Sequence, residues 1–195
     1  LPRDNSITGQ AIVLSLSSRF GVGNSIFRTG AKKIEWVDTV FGGCYWRKVF
    51  EKIGYFNEKL IRGQDMEFNL RLKKAGAKIL LAPDIVSYYY PKSDLRSFIR
   101  HNYINGIWAI LPFKYSRIVP VALRSLIPLF FVLSLFCLLS AGVFYKPFLQ
   151  LLFLELIVYT LTDLYFSIKI SLFERKIKYA LPLFFIFGVL HFGYG

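Results

Sequence analysis

Sulfur and imidazole are scarce in this 195-residue chain, which has two cysteines, one methionine and two histidines. Cys44 and Cys137 lie in segments of different character, without C-x-x-C spacing or clustered histidines. A cysteine-based metal site is therefore not expected, and both thiols are read as free. Acidic residues are few as well, 12 Asp/Glu against 25 Lys/Arg. Nucleic acid is not an expected partner, because no dense basic tract and no base-reading signature accompanies that charge. No basic leader with a short apolar core and a small-residue cleavage site opens the chain, so its N-terminal part is expected to stay in the cytoplasm. The chain opens on Leu1 and its one methionine is Met66, and it is read as a piece of a longer protein.

Apolar residues are abundant, at 54% of the chain, which points to a membrane part. The composition changes near Pro120 and divides the chain into 1–118 and 119–195. Residues 125–145 are 21 positions without a charge, enough helix to cross roughly 30 Å of hydrocarbon. Two to three transmembrane helices are expected, at about 121–145, 147–168 and 179–195. Lys114, Arg117 and Arg124 precede the first span and Lys146 follows it. Lys169, Arg175, Lys176 and Lys178 separate the second from the third, so residues 1–118 are placed on the cytoplasmic side. Residues 1–118 hold 19 Lys/Arg against 9 Asp/Glu, a balance that fits attraction to anionic membrane lipids and to a diphosphate. Glu155 and Asp163 interrupt the second span on one side of its helix. They read either as helix-packing carboxylates or as guides for a lipid-linked substrate.

Before Pro120 the pattern is mixed α/β. Residues 11–20 read as a helix ending at Gly21-Val22-Gly23-Asn24, 36–45 as a buried strand with a glycine pair, and 47–53 as a short helix stopped by Gly54. The apolar residues of 64–75 alternate, but the end signals of that segment are those of a helix. Asp65 and Glu67 occupy the first turn, Glu67 and Arg71 are four apart, Lys73 and Lys74 lie in the last turn and Gly76 supplies the stop. Residues 78–82 and 85–90 read as strands around Pro83-Asp84, and Ser93 as the cap of a helix over 94–110 that leads towards the membrane.

Two blocks carry the chemistry: Phe41-Gly-Gly-Cys-Tyr-Trp-Arg-Lys-Val-Phe-Glu-Lys-Ile-Gly-Tyr-Phe-Asn-Glu, and Arg62-Gly-Gln-Asp-Met-Glu-Phe-Asn-Leu-Arg-Leu-Lys-Lys-Ala-Gly. In this order they resemble the second half of family-2 glycosyltransferases of the GT-A fold. The nearest likeness is to bacterial exopolysaccharide glucosyltransferases of the succinoglycan type, which place Gly-Val-Gly-Asn-Ser before these blocks and carry C-terminal membrane helices. The likeness covers most of residues 11–110. It implies an α/β fold, the acceptor-side half of a GT-A-like domain, followed by membrane helices. By matching position it makes Asp65 the general base, with Gln64 in place of the usual glutamate. An acceptor hydroxyl attacking an anomeric carbon must lose its proton as the bond forms, which is work for a positioned carboxylate. A carboxylate is also well placed in the first turn of a helix.

The same likeness puts Gly42 and Gly43 under the acceptor sugar, where the lack of a side chain permits close approach; a bulge or tight packing point is the plainer alternative. Trp46 reads as a sugar-stacking or interface residue, and Trp108 as an interface residue. Asn24, Arg100 and His101 are candidates for the donor diphosphate, against loop geometry for Asn24 and snorkelling at the membrane surface for Arg96 and Arg100. His191 reads as a helix-packing histidine.

The family holds Mg²⁺ or Mn²⁺ on a D-x-D motif, and no D-x-D occurs in this chain. The metal and the nucleotide-binding half are therefore expected outside it, and the piece is expected to be inactive alone. The expected partners are a nucleotide sugar, with UDP-hexose implied, a lipid-linked saccharide acceptor and membrane lipids. A non-catalytic membrane component that binds or conducts polysaccharide is the competing reading.

Overall fold

The computed structural model describes residues 6–87, 90, 94–115 and 123–195. Helix α1, Ile7–Leu16, opens on Ser6, whose hydroxyl accepts from the Gly9 amide at 2.9 Å. The chain turns at Ser17 and Ser18 into the one-turn helices α2, Arg19–Val22, and α3, Ile26–Thr29. The helix expected over 11–20 is thus two. Strand β1, Glu35–Val37, pairs antiparallel with β2, Ile79–Leu81, placing Trp36 opposite Leu80. Between them stand α4, Arg47–Ile53, and α5, Gln64–Lys74. Helix α6, Leu95–Ile110, is capped by Asp94, whose carboxylate accepts from the Ser97 amide at 2.8 Å; Ser93, the cap read from sequence, lies outside the described residues.

The strands are shorter than expected. Beyond Val37 the backbone turns, and Gly42 adopts φ 62°, a left-handed conformation that ends extended pairing at the glycine pair. Ile85 is 82% exposed, and none of the described positions of 85–90 belongs to a strand; Tyr88 and Tyr89 lie outside the described residues. A two-stranded ribbon cannot build its own core. The architecture among the described residues is mostly helical, with one small sheet.

Among the described residues three helices are long and apolar enough to cross a membrane, over Arg124–Gly142, Lys146–Phe173 and Ile177–Tyr194. Their regular α-helical parts are α7, Ile127–Gly142, α8, Lys146–Phe173, and α9, Ala180–Tyr194. The second runs past the expected end at 168, through Lys169. Gly142 lies against Leu149 and lets α7 and α8 close into a hairpin.

The neighbour of α8 changes along its length. Its first half lies along α7, where the Ser134 hydroxyl donates to Glu155 at 2.6 Å and Phe131 stacks on Tyr159 at 4.8 Å. Its second half meets α9 and α2. There Phe166 stacks on Phe20 at 4.8 Å, and His191 bridges the Tyr159 hydroxyl and the Phe20 carbonyl at 3.0 Å each. Asp163, 1% exposed, accepts from the Ser167 hydroxyl at 3.0 Å, so this carboxylate faces the bundle interior.

The largest core joins α1, α6 and α9 through Ala11, Ile12, Phe98, Leu183, Phe187 and Leu190. Glycines set two of its close approaches. A Cβ on Gly106 would run into the Tyr194 carbonyl, and one on Gly195 into that of Pro128. The last turn of α9 therefore touches both α6 and the start of α7. A second core, Phe68, Leu72 and Ile79 with Val37, Tyr45, Val49 and Phe50 around them, packs α4 and α5 onto the ribbon.

Candidate active site

The start of α5 is fixed from behind. Glu67 is 4% exposed at its side chain and accepts from Arg71 at 2.8 and 3.0 Å. The same guanidinium donates to the carbonyls of Ile53 at 2.5 Å and Tyr55 at 2.7 Å, and lies 5.2 Å from the centre of the Phe68 ring. One arginine thus ties the Gly54-Tyr55-Phe56-Asn57-Glu58 turn to the acidic helix. Asn69 joins the preceding block: the Tyr45 hydroxyl donates to its Oδ1 at 2.7 Å, and its Nδ2 donates to the Thr39 hydroxyl at 2.9 Å. The two sequence blocks are folded together by buried polar contacts whose partners are all satisfied.

In front of this frame an open cleft of about 490 Å³ lies between the turn and α6, lined by Phe56, Ile61, Arg62, Gly63, Gln64, Asp65 and Asn105. Asp65 is exposed within it. Gly63, at φ 73°, is the residue before the helix and offers no side-chain cap, so the first-turn amides of α5 are left to the cleft. The Gln64 amide turns back to the Leu60 carbonyl, and Arg62 donates to Asn105 Oδ1 at 2.7 Å, fastening the loop to α6. Burial, with the charges of Arg62 and Arg28, holds His101 below its ordinary 6.5, so at neutral pH it is an uncharged hydrogen-bonding group. Burial raises the Tyr45 phenol above 10; the bond to Asn69 opposes this and the charge of Asp65 adds to it.

The residues expected from sequence separate into groups. Asp65 and Gln64 share the cleft. Gly43 packs on Tyr45, whose hydroxyl a Cβ there would meet at 2.5 Å, and Gly42 has open space around it; neither lines the cleft. Trp46 is 85% exposed and Arg100 is exposed, while His101 stands within electrostatic reach of Arg62. Asn24 lies elsewhere, accepting from Arg124 at 3.4 Å in another cavity. Arg62, Asn105 and Phe56 line the cleft without having been assigned a role from sequence. Arg62 had a legible signal, a cation three positions before the carboxylate; Asn105 had none. Among the described residues no three His, Cys, Asp or Glu side chains are grouped to hold a metal ion. The cleft offers one carboxylate, Asp65, which alone does not fit a Mg²⁺ or Mn²⁺ site.

A carboxylate, a guanidinium, two amides and an aromatic wall around an open cleft form a surface suited to a hydroxyl-rich ligand. Over 100 residues the chain is 35% identical to a dolichyl N-acetyl-α-D-glucosaminyl phosphate 3-β-D-2,3-diacetamido-2,3-dideoxy-β-D-glucuronosyltransferase of Methanococcus voltae, covering 44% of this chain and 31% of that protein. Over 133 residues it is 25% identical to the succinoglycan biosynthesis protein ExoA of Rhizobium meliloti (strain 1021), covering 60% of this chain and 40% of that one. The chain resembles family-2 glycosyltransferases. It spans about a third to two fifths of the length of these relatives. No family model matches it, and no solved structure does.

Proposed function

We propose that the chain is the acceptor-side part of an inverting glycosyltransferase, transferring a hexose from a nucleotide sugar, a UDP-hexose, to a lipid-linked or growing polysaccharide acceptor at the cytoplasmic membrane face. The observation that carries this reading is Asp65 at the start of α5, exposed in a cleft walled by Arg62 and by Asn105 of α6, the helix packed on α9. In this reading Asp65 takes the proton of the acceptor hydroxyl as that oxygen bonds to the anomeric carbon. The bond from that carbon to the nucleoside diphosphate breaks with inversion. Gln64 and Asn105 hold acceptor hydroxyls, Phe56 and Ile61 supply a wall, and Arg62 presents a positive charge. His101, uncharged, serves as a hydrogen-bonding group and not as a cation. The divalent metal is supplied by residues beyond this chain.

The test is Asp65→Asn in the protein restored to full length. Asn keeps the size and much of the hydrogen bonding but cannot take the proton, so turnover falls about 10²–10⁴-fold, with nucleotide-sugar affinity nearly unchanged. Glu51→Gln is the control, being an exposed carboxylate on α4; Glu67 is unsuitable because Arg71 and burial make it structural. Turnover of Asp65→Asn within a few-fold of the parent would remove the assignment.

A further inference from the structure

A second cavity, about 450 Å³, lies at the opposite end of α5 and shares no residue with the Asp65 cleft. Lys73 lines it eight residues along the helix from Asp65, about 12 Å at 1.5 Å per residue. Val37 and Ile79 of the ribbon and Ile26 of α3 supply apolar surface; Lys73, Lys78, Asn24 and Arg124 supply the polar side. Arg124 is also the first residue of the first membrane-capable stretch, so the cavity sits where the chain passes from its polar part into that stretch.

Charge decides what the cavity suits. Its single carboxylate, Asp38, is taken by Arg124 at 2.5 Å. Among the described residues no carboxylate pairs with Lys73 or Lys78, so two ammonium groups remain uncompensated. Lys78 lies 5.5 Å from the centre of the Trp36 ring, and that indole is 61% exposed, as suits an aromatic side chain at a membrane–water boundary. The combination is two cations without a carboxylate partner among the described residues, an amide, an exposed indole and an apolar floor beside a membrane-capable helix. We infer that this cavity binds the phosphate of an anionic membrane lipid headgroup, with the glycerol and first acyl carbons against the apolar floor. A soluble phosphate would use the lysines but gain nothing from Ile26, Val37 and Ile79. The inference is independent of the role assigned to Asp65.

The test is lipid retention by the detergent-purified chain, read by native mass spectrometry over a titration of dioleoyl-phosphatidylglycerol, with dioleoyl-phosphatidylcholine, a zwitterion of zero net charge, as the counterpart. One phosphatidylglycerol is expected to be retained in preference. Lys73→Gln/Lys78→Gln should weaken that retention about thirtyfold, roughly fivefold for each lysine, and leave phosphatidylcholine unchanged. Lys48→Gln/Lys52→Gln removes the same charge from exposed positions on α4 and should have little effect. Unchanged retention in the first pair, or an equal loss in both pairs, overturns the site. Displacement of the bound lipid by millimolar inorganic phosphate or UDP overturns the lipid assignment and makes the cavity a soluble-phosphate site. All of these outcomes are readable whether or not Asp65 is a base.

Discussion

Arg71→Met should loosen α5 from the turn that carries Phe56, because no other cation reaches Glu67 among the described residues. Met preserves the apolar stem over Phe68, so the change isolates the guanidinium. Removing one partner of a buried ion pair costs about 3–5 kcal/mol, since the remaining charge stays buried and unmatched. Glu67 qualifies, at 4% side-chain exposure, whereas the similarly spaced Arg47–Glu51 pair on α4, with side chains 93% and 61% exposed, is worth about 0.5 kcal/mol or less. The Ile53 and Tyr55 carbonyls lose a donor as well, but Tyr55 is exposed and water replaces it there. Amide hydrogen exchange over residues 64–74, followed by mass spectrometry, reads the local opening free energy directly. A loss of about 3–5 kcal/mol is roughly two to more than three orders of magnitude in protection. Arg47→Met should leave protection within about threefold. Pairing Arg71→Met with Glu67→Leu, which removes the stranded charge, should bring protection back towards the parent. Protection in Arg71→Met within tenfold of the parent would refute the reasoning that Glu67 is held by this arginine.

Three further outcomes are expected. Because His101 titrates below 6.5 in the folded chain and near 6.5 unfolded, the unfolded state takes up the proton first; stability is level above about pH 6.5 and falls as the pH drops below it, and His101→Gln should flatten that acid slope in thermal melts at pH 7.5 and 5.5, an unchanged slope counting against it. Gly106→Ala drives a methyl group into the Tyr194 carbonyl and should destabilise by about 1–3 kcal/mol, whereas Gly188→Ala, with nothing within 4 Å, should be neutral or mildly stabilising; equal melting temperatures would deny the close approach of α6 and α9. In a Cys44→Ser/Cys137→Ser background, a membrane-impermeant thiol reagent outside intact cells should label Lys146→Cys and not Lys176→Cys, and the reverse pattern would invert the orientation.

Helices whose limits are written in their own residues were legible in the sequence. Helix α4 runs from Arg47 to Ile53 and stops at Gly54, and α5 begins at Gln64 despite alternating apolar positions, because the charges and Gly76 at its ends are local signals. Strands were read too long, because a strand persists only where a neighbour pairs with it; Ile85 and Val86 have strand composition and are exposed. Within the cleft Asp65 and Gln64 could be picked out by motif. The link from Arg62 to Asn105 spans 43 positions, and nothing in the local pattern around Asn105 announces it. The glycine turn marks Asn24 in the sequence, but its hydrogen-bond partner Arg124, 100 positions away at the head of a membrane-capable helix, has no local signal.

Helix α8 carries its only proline, Pro147, in the first turn and no glycine anywhere, so it has no built-in hinge over its 28 residues, about 42 Å of rod. One half is gripped by α7 and the other by Phe20 and α9. A stiff rod held in this way behaves as a lever: a tilt of about 10° imposed on the α7 half, such as a change in bilayer thickness produces, displaces the far end of a roughly 20 Å arm by about 3.5 Å. That displacement is delivered to Phe166 and, through its stacked partner Phe20, to the polar part of the chain. Motion of one half of α8 is thereby carried to α1 and α2, which precede every membrane-capable helix among the described residues.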